Sequence, residues 1–271
     1  MTARRKPFLR DLLIVGGVAA LLVAVHQLVP IAGGPRLALD HREPTVWSFW
    51  TAAFVHVDTT HLLSNVVGVG ASGLLAASLC QAQSRGRWYL VTTIGFLTVL
   101  PVAVNLSTHL VFRSQALTPI GQGFSGVVAG YVGFVLVAHG RGLLDRYPRA
   151  TALRLVQGTV LVLLATIGGR YPGDQRLLVL SLLVVALGLT LAPLARDIGA
   201  RLGDGSWPGV PPEAAISVGT VVALVLFVWL LFPASPGRQT TVVNVVAHAM
   251  GLIWGVALSL LTWQLRARLG R

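Results

Sequence analysis

The chain has 271 residues, 54% of them hydrophobic and only 11% charged, where a soluble domain carries roughly 25% charged residues. Its formal net charge is +12, but no aromatic-basic face accompanies that charge, so basic loops between membrane spans explain it better than nucleic acid. Cys80 is the only cysteine, which excludes intrachain disulfides and leaves a small packing residue near a helix end.

The polar residues are crowded into short segments between apolar runs, several of them long enough to cross a hydrocarbon core of ~30 Å as helices. The ~10-residue alternating strands of a transmembrane barrel are absent from the sequence. The expected fold class is therefore an all-α polytopic membrane protein, with residues 1–271 forming a single integral membrane domain. The basic segment Met1–Arg10 leads into a first span, Leu12–Val29. That run lacks a small-x-small pattern near its end, so it reads as a span and not as a cleaved signal peptide. The second span is His61–Cys80, the third Trp88–Ser107 and the fourth Phe124–Ala138. The fifth, Leu155–Gly169, and the sixth, Leu177–Ala195, are joined by Arg170–Arg176, a tight turn marked by Pro172 and Gly173. Ala214–Phe232 and Val242–Gln264 complete a set of eight. The fourth and fifth are short and need flanking residues.

With the N-terminus inside, inner segments hold 15 of the 21 Lys and Arg residues, including Arg85, Arg87, Arg266 and Arg268. This bias places both termini in the cytoplasm, and an even number of spans satisfies it. None of the nine acidic residues lies in the interior of a span. Coupled transporters ordinarily need an intramembrane carboxylate, so that class loses ground; an aspartyl intramembrane protease needs two and is excluded. A His-Glu-x-x-His zinc helix does not occur, and no metal or other cofactor is implied.

Three polar clusters remain. His56-Val-Asp-Thr-Thr-His61-Leu-Leu-Ser-Asn65 stands at the outer end of the second span, with His61 and Asn65 four apart on one helical face and Ser72 continuing the stripe. Gly121-Gln-Gly123-Phe-Ser125-Gly126 enters the fourth span, followed by Gly130 and Gly133. Ala247-His248-Ala-Met-Gly251-Leu-Ile-Trp-Gly255 lies near the outer end of the last span, its histidine above two glycines on one face. Alone, each has a plainer reading: interhelical hydrogen bonding, a serine N-cap, a buried structural histidine. Together, at similar depth, they supply a nucleophile, a base and two spare donors, the parts required for acyl transfer.

These residues resemble the rhomboid family of intramembrane serine proteases. His56-x4-His61-x3-Asn65 is similar to the family's second-helix motif, Gly123-Phe-Ser125-Gly126 to its nucleophile motif, and Ala247-His248-x-x-Gly251-x3-Gly255 to its last-helix motif. The likeness covers about residues 10–140 and 240–262. Trp47 stands where the family's first-loop Trp-Arg pair begins, with Ser48 in place of the arginine. A tyrosine that some members carry four residues after the nucleophile is here Ala129, and Tyr131 faces elsewhere. The basic core has one span between the serine helix and the last helix, whereas this chain has three, which preserves parity. The resemblance implies six core spans plus two extra spans, and a Ser125–His248 dyad. It assigns His61 and Asn65 to the oxyanion and His56, Gly123, Gly126, Gly251 and Gly255 to shaping the cavity. The implied partners are transmembrane protein substrates within a lipid bilayer, at the cell membrane; an inactive relative that binds membrane proteins is the alternative. His26, His41, His109 and His139 match no motif and read as structural or solvent-exposed. The fifth and sixth spans are expected to form a peripheral hairpin, with Ala214–Phe232 as the family's penultimate span; the alternative is a hairpin of the sixth and seventh spans.

Overall fold

The computed structural model describes residues 5–29, 34–170, 176–203, 212–232 and 239–269. It is helical almost throughout, and the chain is a multi-pass membrane protein. Among the described residues seven helices are long and apolar enough to cross a membrane, or eight if a pair bent at a short break is counted as one span. The helices cluster into two compact units, residues 1–138 with 236–271, and residues 139–235.

In the first unit, α1 (Arg5–Leu28) packs on α4 (Thr59–Ala82). Asp58 starts α4 as its N-cap, with extended backbone and a side-chain oxygen accepting from the His61 amide at 2.7 Å. An Asp at this position satisfies a donor that the helix itself cannot. The apolar and small residues of α4 recur at helical spacing, so Leu62, Val69, Gly73, Ala76 and Leu79 form its buried side. The first part of α7 (Ser125–Arg146) is the central helix of this unit: every residue from Gly126 to Val135 is buried.

The expected third span, Trp88–Ser107, is not one helix. It breaks into α5 (Gly86–Thr98) and α6 (Leu100–Ser114), bent by 46°. Pro101 is the cause. It has no N–H to give the carbonyl of Leu97 four residues earlier, and its ring opposes a straight helix. The orphaned Leu97 carbonyl accepts instead from the indole Nε1 of Trp50 at 2.9 Å. Trp50 belongs to α3 (Ser48–Thr51) in the first loop, and Asn105 Nδ2 on α6 donates to the Phe49 carbonyl of the same loop helix at 2.9 Å. The kink thus anchors the loop that precedes His56.

The start of that loop, α2 (Gly34–Leu37), leads into β1 (Leu39–Asp40). This two-residue strand pairs antiparallel with β2 (Ile120–Gly121), Leu39 opposite Gly121. Below it His41 and His109 stack with ring centroids 5.3 Å apart and Nδ1 to Nδ1 at 3.1 Å. At the other end of the unit, the polar side chains of α5 meet α11 (Gln239–Leu269). Trp88 Nε1 donates to the Ser259 carbonyl at 3.1 Å, and the hydroxyls of Thr92 and Thr262 are 2.8 Å apart. Tyr131 lies edge-on to Phe96 at 5.0 Å, turned toward α5 as its spacing from Ala129 predicts.

The second unit is built on α8 (Arg149–Arg170) and α9 (Arg176–Gly203). Gly158 faces Leu187 and Leu191 while Gly168 faces Val179 and Leu180, so the two helices run antiparallel as a hairpin. Both helices outrun the expected apolar cores, as does α7. The Pro172-Gly173 turn lies outside the described residues. Within this unit α10 (Pro212–Leu231) packs on α8. There Arg170 Nε donates to the Phe232 carbonyl at 2.8 Å and its guanidinium lies 4.0 Å from the Trp229 ring centroid.

Candidate active site

The site residues fall on α4, on the loop from Gly121 to Phe124, and on the facing turns of α7 and α11. That loop is held at two points before it reaches Ser125. The β1–β2 pair fixes Gly121, and the Gly123 amide donates to the Ala52 carbonyl at 2.8 Å. The Phe124 ring packs on Phe54, with centroids 5.6 Å apart. Gly123 has φ +118°, a conformation that costs a residue bearing Cβ dearly. It is also where the loop lies on His61: an added Cβ would stand 2.5 Å from the imidazole Cε1 and 2.7 Å from Nε2. Glycine is therefore required twice over, for its dihedral and for its missing side chain.

His61 and Asn65 share the buried side of α4 as expected. Asn65 is 3% exposed, and its Nδ2 donates to the His61 carbonyl at 3.1 Å, which uses one of its two amide protons. His56 sits edge-on to His61 with centroids 5.3 Å apart. Burial lowers the His56 pKa to about 4, and the nearby rings of His61 and His26 push the same way, so its ring is neutral near pH 7. Among the described residues no side chain hydrogen-bonds to either of its buried nitrogens.

Ser125 is the first residue of α7, partly exposed where the following turn is closed. From there α7 and α11 run in the same direction in backbone contact. A Cβ on Gly251 would be 2.0 Å from the Gly126 carbonyl oxygen and 3.0 Å from Ala129 Cβ; a Cβ on Gly255 would be 2.3 Å from the Gly130 carbonyl oxygen. Gly126 also borders Ala247, its own would-be Cβ 3.5 Å from the Ala247 carbonyl oxygen. No segment fits between the two helices here. This register sets the turn carrying Ser125 beside the turn carrying His248, which is 6% exposed. On the other side, Gly68 of α4 lets Val128 approach, 2.8 Å from the position a Cβ would take. The structure thus gathers His56, His61, Asn65 and Gly123 into one cluster, and Ser125, Gly126, His248, Gly251 and Gly255 into a second. The Gly123–Ser125 segment joins them.

Three contributors are not apparent from the motifs. His26 stands 6.4 Å from His56, ring to ring, and its Nε2 is 3.5 Å from Thr59 Oγ1, which extends the histidine run by one. Asp58 caps the helix that carries His61, a role its position three residues before His61 could have announced. Trp50 holds the loop through Leu97, and only the Leu97–Pro101 spacing hints at it. Among the described residues no group of three His, Cys, Asp or Glu is placed to hold a metal ion.

The family model for the rhomboid domain matches residues 43–181. The match takes in His56, His61, Asn65 and Ser125, and His248 lies beyond it. No curated protein and no solved structure matches. The matched stretch is just over half of the 271 residues and carries two of the three polar clusters: the chain belongs to the rhomboid family.

Proposed function

We propose that this protein is an intramembrane serine endopeptidase that cleaves transmembrane proteins with a Ser125–His248 dyad. The observation that supports the reading is the backbone-to-backbone packing of α7 on α11, which sets Gly126 against Ala247 and Gly251, so that the turns carrying Ser125 and His248 adjoin. His248 takes the Ser125 hydroxyl proton as the oxygen attacks the peptide carbonyl. It then gives that proton to the leaving amine, and an acyl-enzyme remains. Water, deprotonated by the same histidine, hydrolyses the ester and returns Ser125 to its starting form. Charge gathers on the carbonyl oxygen in both steps. His61, the second amide proton of Asn65 and the Ser125 backbone N–H are the donors assigned to it. His56, neutral near pH 7, shapes the cavity and offers its nitrogens to polar groups entering there. Gly123, Gly126, Gly251 and Gly255 act by leaving room.

Ala129 fits this scheme. Its Cβ already meets the space that a Gly251 side chain would need, so His248 is confined by close helix packing where a tyrosine does that work in some members. We assign the active side to the outer leaflet of the cell membrane and both termini to the cytoplasm, on the distribution of Lys and Arg.

The test is covalent labelling of the detergent-purified protein with a fluorophosphonate probe, read by peptide mass spectrometry. Labelling is expected on Ser125 in the wild type and absent from Ser125→Ala and His248→Ala, with thermal unfolding showing that all three are folded. A folded wild type that takes no label would favour an inactive rhomboid-like binding protein.

A further inference from the structure

At the opposite end of α4 a recess of about 990 Å³ opens between the ends of α1, α4, α5 and α11. Its lining includes three arginines, Arg10, Arg87 and Arg266, and one carboxylate, Asp11. That carboxylate is already committed. Asp11 is 2% exposed; its Oδ1 accepts from Arg10 Nε and Nη2 at 2.9 and 2.7 Å, and its Oδ2 accepts from Gln81 Nε2 at 2.6 Å. The cluster rests on the first residue of α5, where a Cβ on Gly86 would lie 2.8 Å from Gln81 Nε2 and 2.9 Å from Arg10 Nη2. Asp11 thus balances Arg10 and fixes the floor; among the described residues no carboxylate pairs with Arg87 or Arg266, which also line the recess, the latter 5.9 Å from the Trp263 ring centroid.

Depth identifies what meets this charge. From His61 to Gln81 is twenty residues of one helix, or about 30 Å of rise, which is the thickness of the hydrocarbon core. With His61 at one interface, the recess falls in the headgroup layer of the other. Phe8, 60% exposed, and Leu74 border it on the apolar side, a surface suited to an acyl chain and not to a free ion. We infer that the recess holds the phosphodiester headgroup of an anionic glycerophospholipid, with Arg87 and Arg266 on the phosphate and a chain along Phe8 and Leu74. A zwitterionic lipid fits less well, since its ammonium group would face the guanidiniums of Arg87 and Arg266, with Asp11 already paired to Arg10. The assignment does not depend on the protein being an active protease.

The experiment is native mass spectrometry of the full-length protein in detergent, titrated with phosphatidylglycerol or phosphatidylcholine of the same chains. Two interfacial arginines imply a preference for phosphatidylglycerol of about thirtyfold. Arg87→Gln combined with Arg266→Gln should reduce that preference to within about threefold. Arg268→Gln should keep it, because Arg268 is exposed on α11 and does not line the recess. Ser78→Trp fills the recess with charge unchanged and should abolish the preference; it decides the matter if the double variant fails to fold. Equal binding of the two lipids by the wild type overturns the proposal. So does an Arg268→Gln loss as large as that of the double variant, since diffuse surface charge then suffices. Displacement of phosphatidylglycerol by equimolar inorganic phosphate would also overturn it, by showing a plain anion site.

Discussion

Gly251→Ala isolates the contact on which the proposed dyad depends. The added methyl would begin 2.0 Å from the Gly126 carbonyl oxygen and 3.0 Å from Ala129 Cβ. Real Cβ contacts essentially never fall below 3.0 Å, and the obstacle is backbone, which has no rotamer to escape into. The helices must therefore separate by about 1 Å or more beside Ser125, a displacement of the size that can cost ~10²-fold in rate when it falls between reacting groups. Overpacking of this kind costs about 1–3 kcal/mol of stability, so the variant should still fold. Gly130→Ala provides the contrast. Its methyl would begin 2.3 Å from Leu100 Cδ2, the far end of a flexible side chain, and 3.5 Å from the Gly251 carbonyl oxygen. Leu100 can turn aside and the helices can stay in register. Gly70→Ala meets nothing within 4 Å and should be neutral or slightly stabilising, since Ala exceeds Gly in helix propensity by up to ~1 kcal/mol.

The assay is the rate of fluorophosphonate labelling at Ser125, with thermal unfolding of each variant alongside. The expected losses are about a hundredfold for Gly251→Ala, less than about tenfold for Gly130→Ala and none for Gly70→Ala. A Gly251→Ala protein that labels at the wild-type rate would refute the reasoning, because the register of α7 on α11 would then not set the chemistry. Equal damage from Gly130→Ala would refute it too, by removing the distinction between backbone and side-chain obstacles.

Other outcomes follow from the same geometry. Asn65→Ala and His61→Ala should each lower turnover of a reconstituted substrate by about 10²–10³ with little change in KM; a change confined to KM would make these residues binding groups. Gly123→Ala should disturb the loop more than any other glycine change at the site, because strain at φ +118° adds to a 2.5 Å collision with His61; wild-type labelling by this variant would remove the loop from the mechanism. Burial lowers His41, 6% exposed, and His56, 9% exposed, from 6.5 to about 4, with His109 adding to the effect on His41 and His61 to that on His56. The unfolded chain then binds protons that the folded one refuses between those values. Stability is complete above pH 6.5 and falls as the pH drops toward 4, by up to about 3 kcal/mol for each histidine. Unfolding scans should show that slope, and it should flatten in the double variant His41→Gln, His56→Gln. Reporter fusions after Gly203 and Arg271 should both report the cytoplasm; an external signal at either would contradict the eight-span orientation.

What the sequence discloses is governed by whether a feature repeats at helical spacing. The glycines at 126, 130 and 133, and at 251 and 255, announce two faces suited to close approach, and the structure joins those faces. His61 and Asn65 are similarly legible, since four residues on a helix leave no freedom about which side they share. The broken third span is not legible by this means. Its hydropathy is continuous across Leu97–Pro101, and a proline within an apolar membrane run often stays inside one helix when another group satisfies the freed carbonyl. The satisfying group is Trp50, some 47 residues earlier in the chain, on a loop whose own fold depends on the kink. Neither partner reveals the other in isolation.

The same consideration explains why one half of the site can be read from motifs and the other cannot. The turns that carry Ser125 and His248 are brought side by side by small residues on regular helices, a one-dimensional pattern. The position of the Gly123 backbone on His61 owes its existence to three long-range hydrogen bonds: Gly123 to Ala52, Trp50 to Leu97 and Asn105 to Phe49. These tie loop to loop and loop to kink, so the proposed oxyanion side should be the more easily loosened part. A change at Trp50 or Asn105, remote from the chemistry, would weaken the hold on the first loop without moving α7 from α11. It would therefore reduce turnover while leaving the Ser125–His248 register intact, and this dissociation marks the two clusters as separately supported.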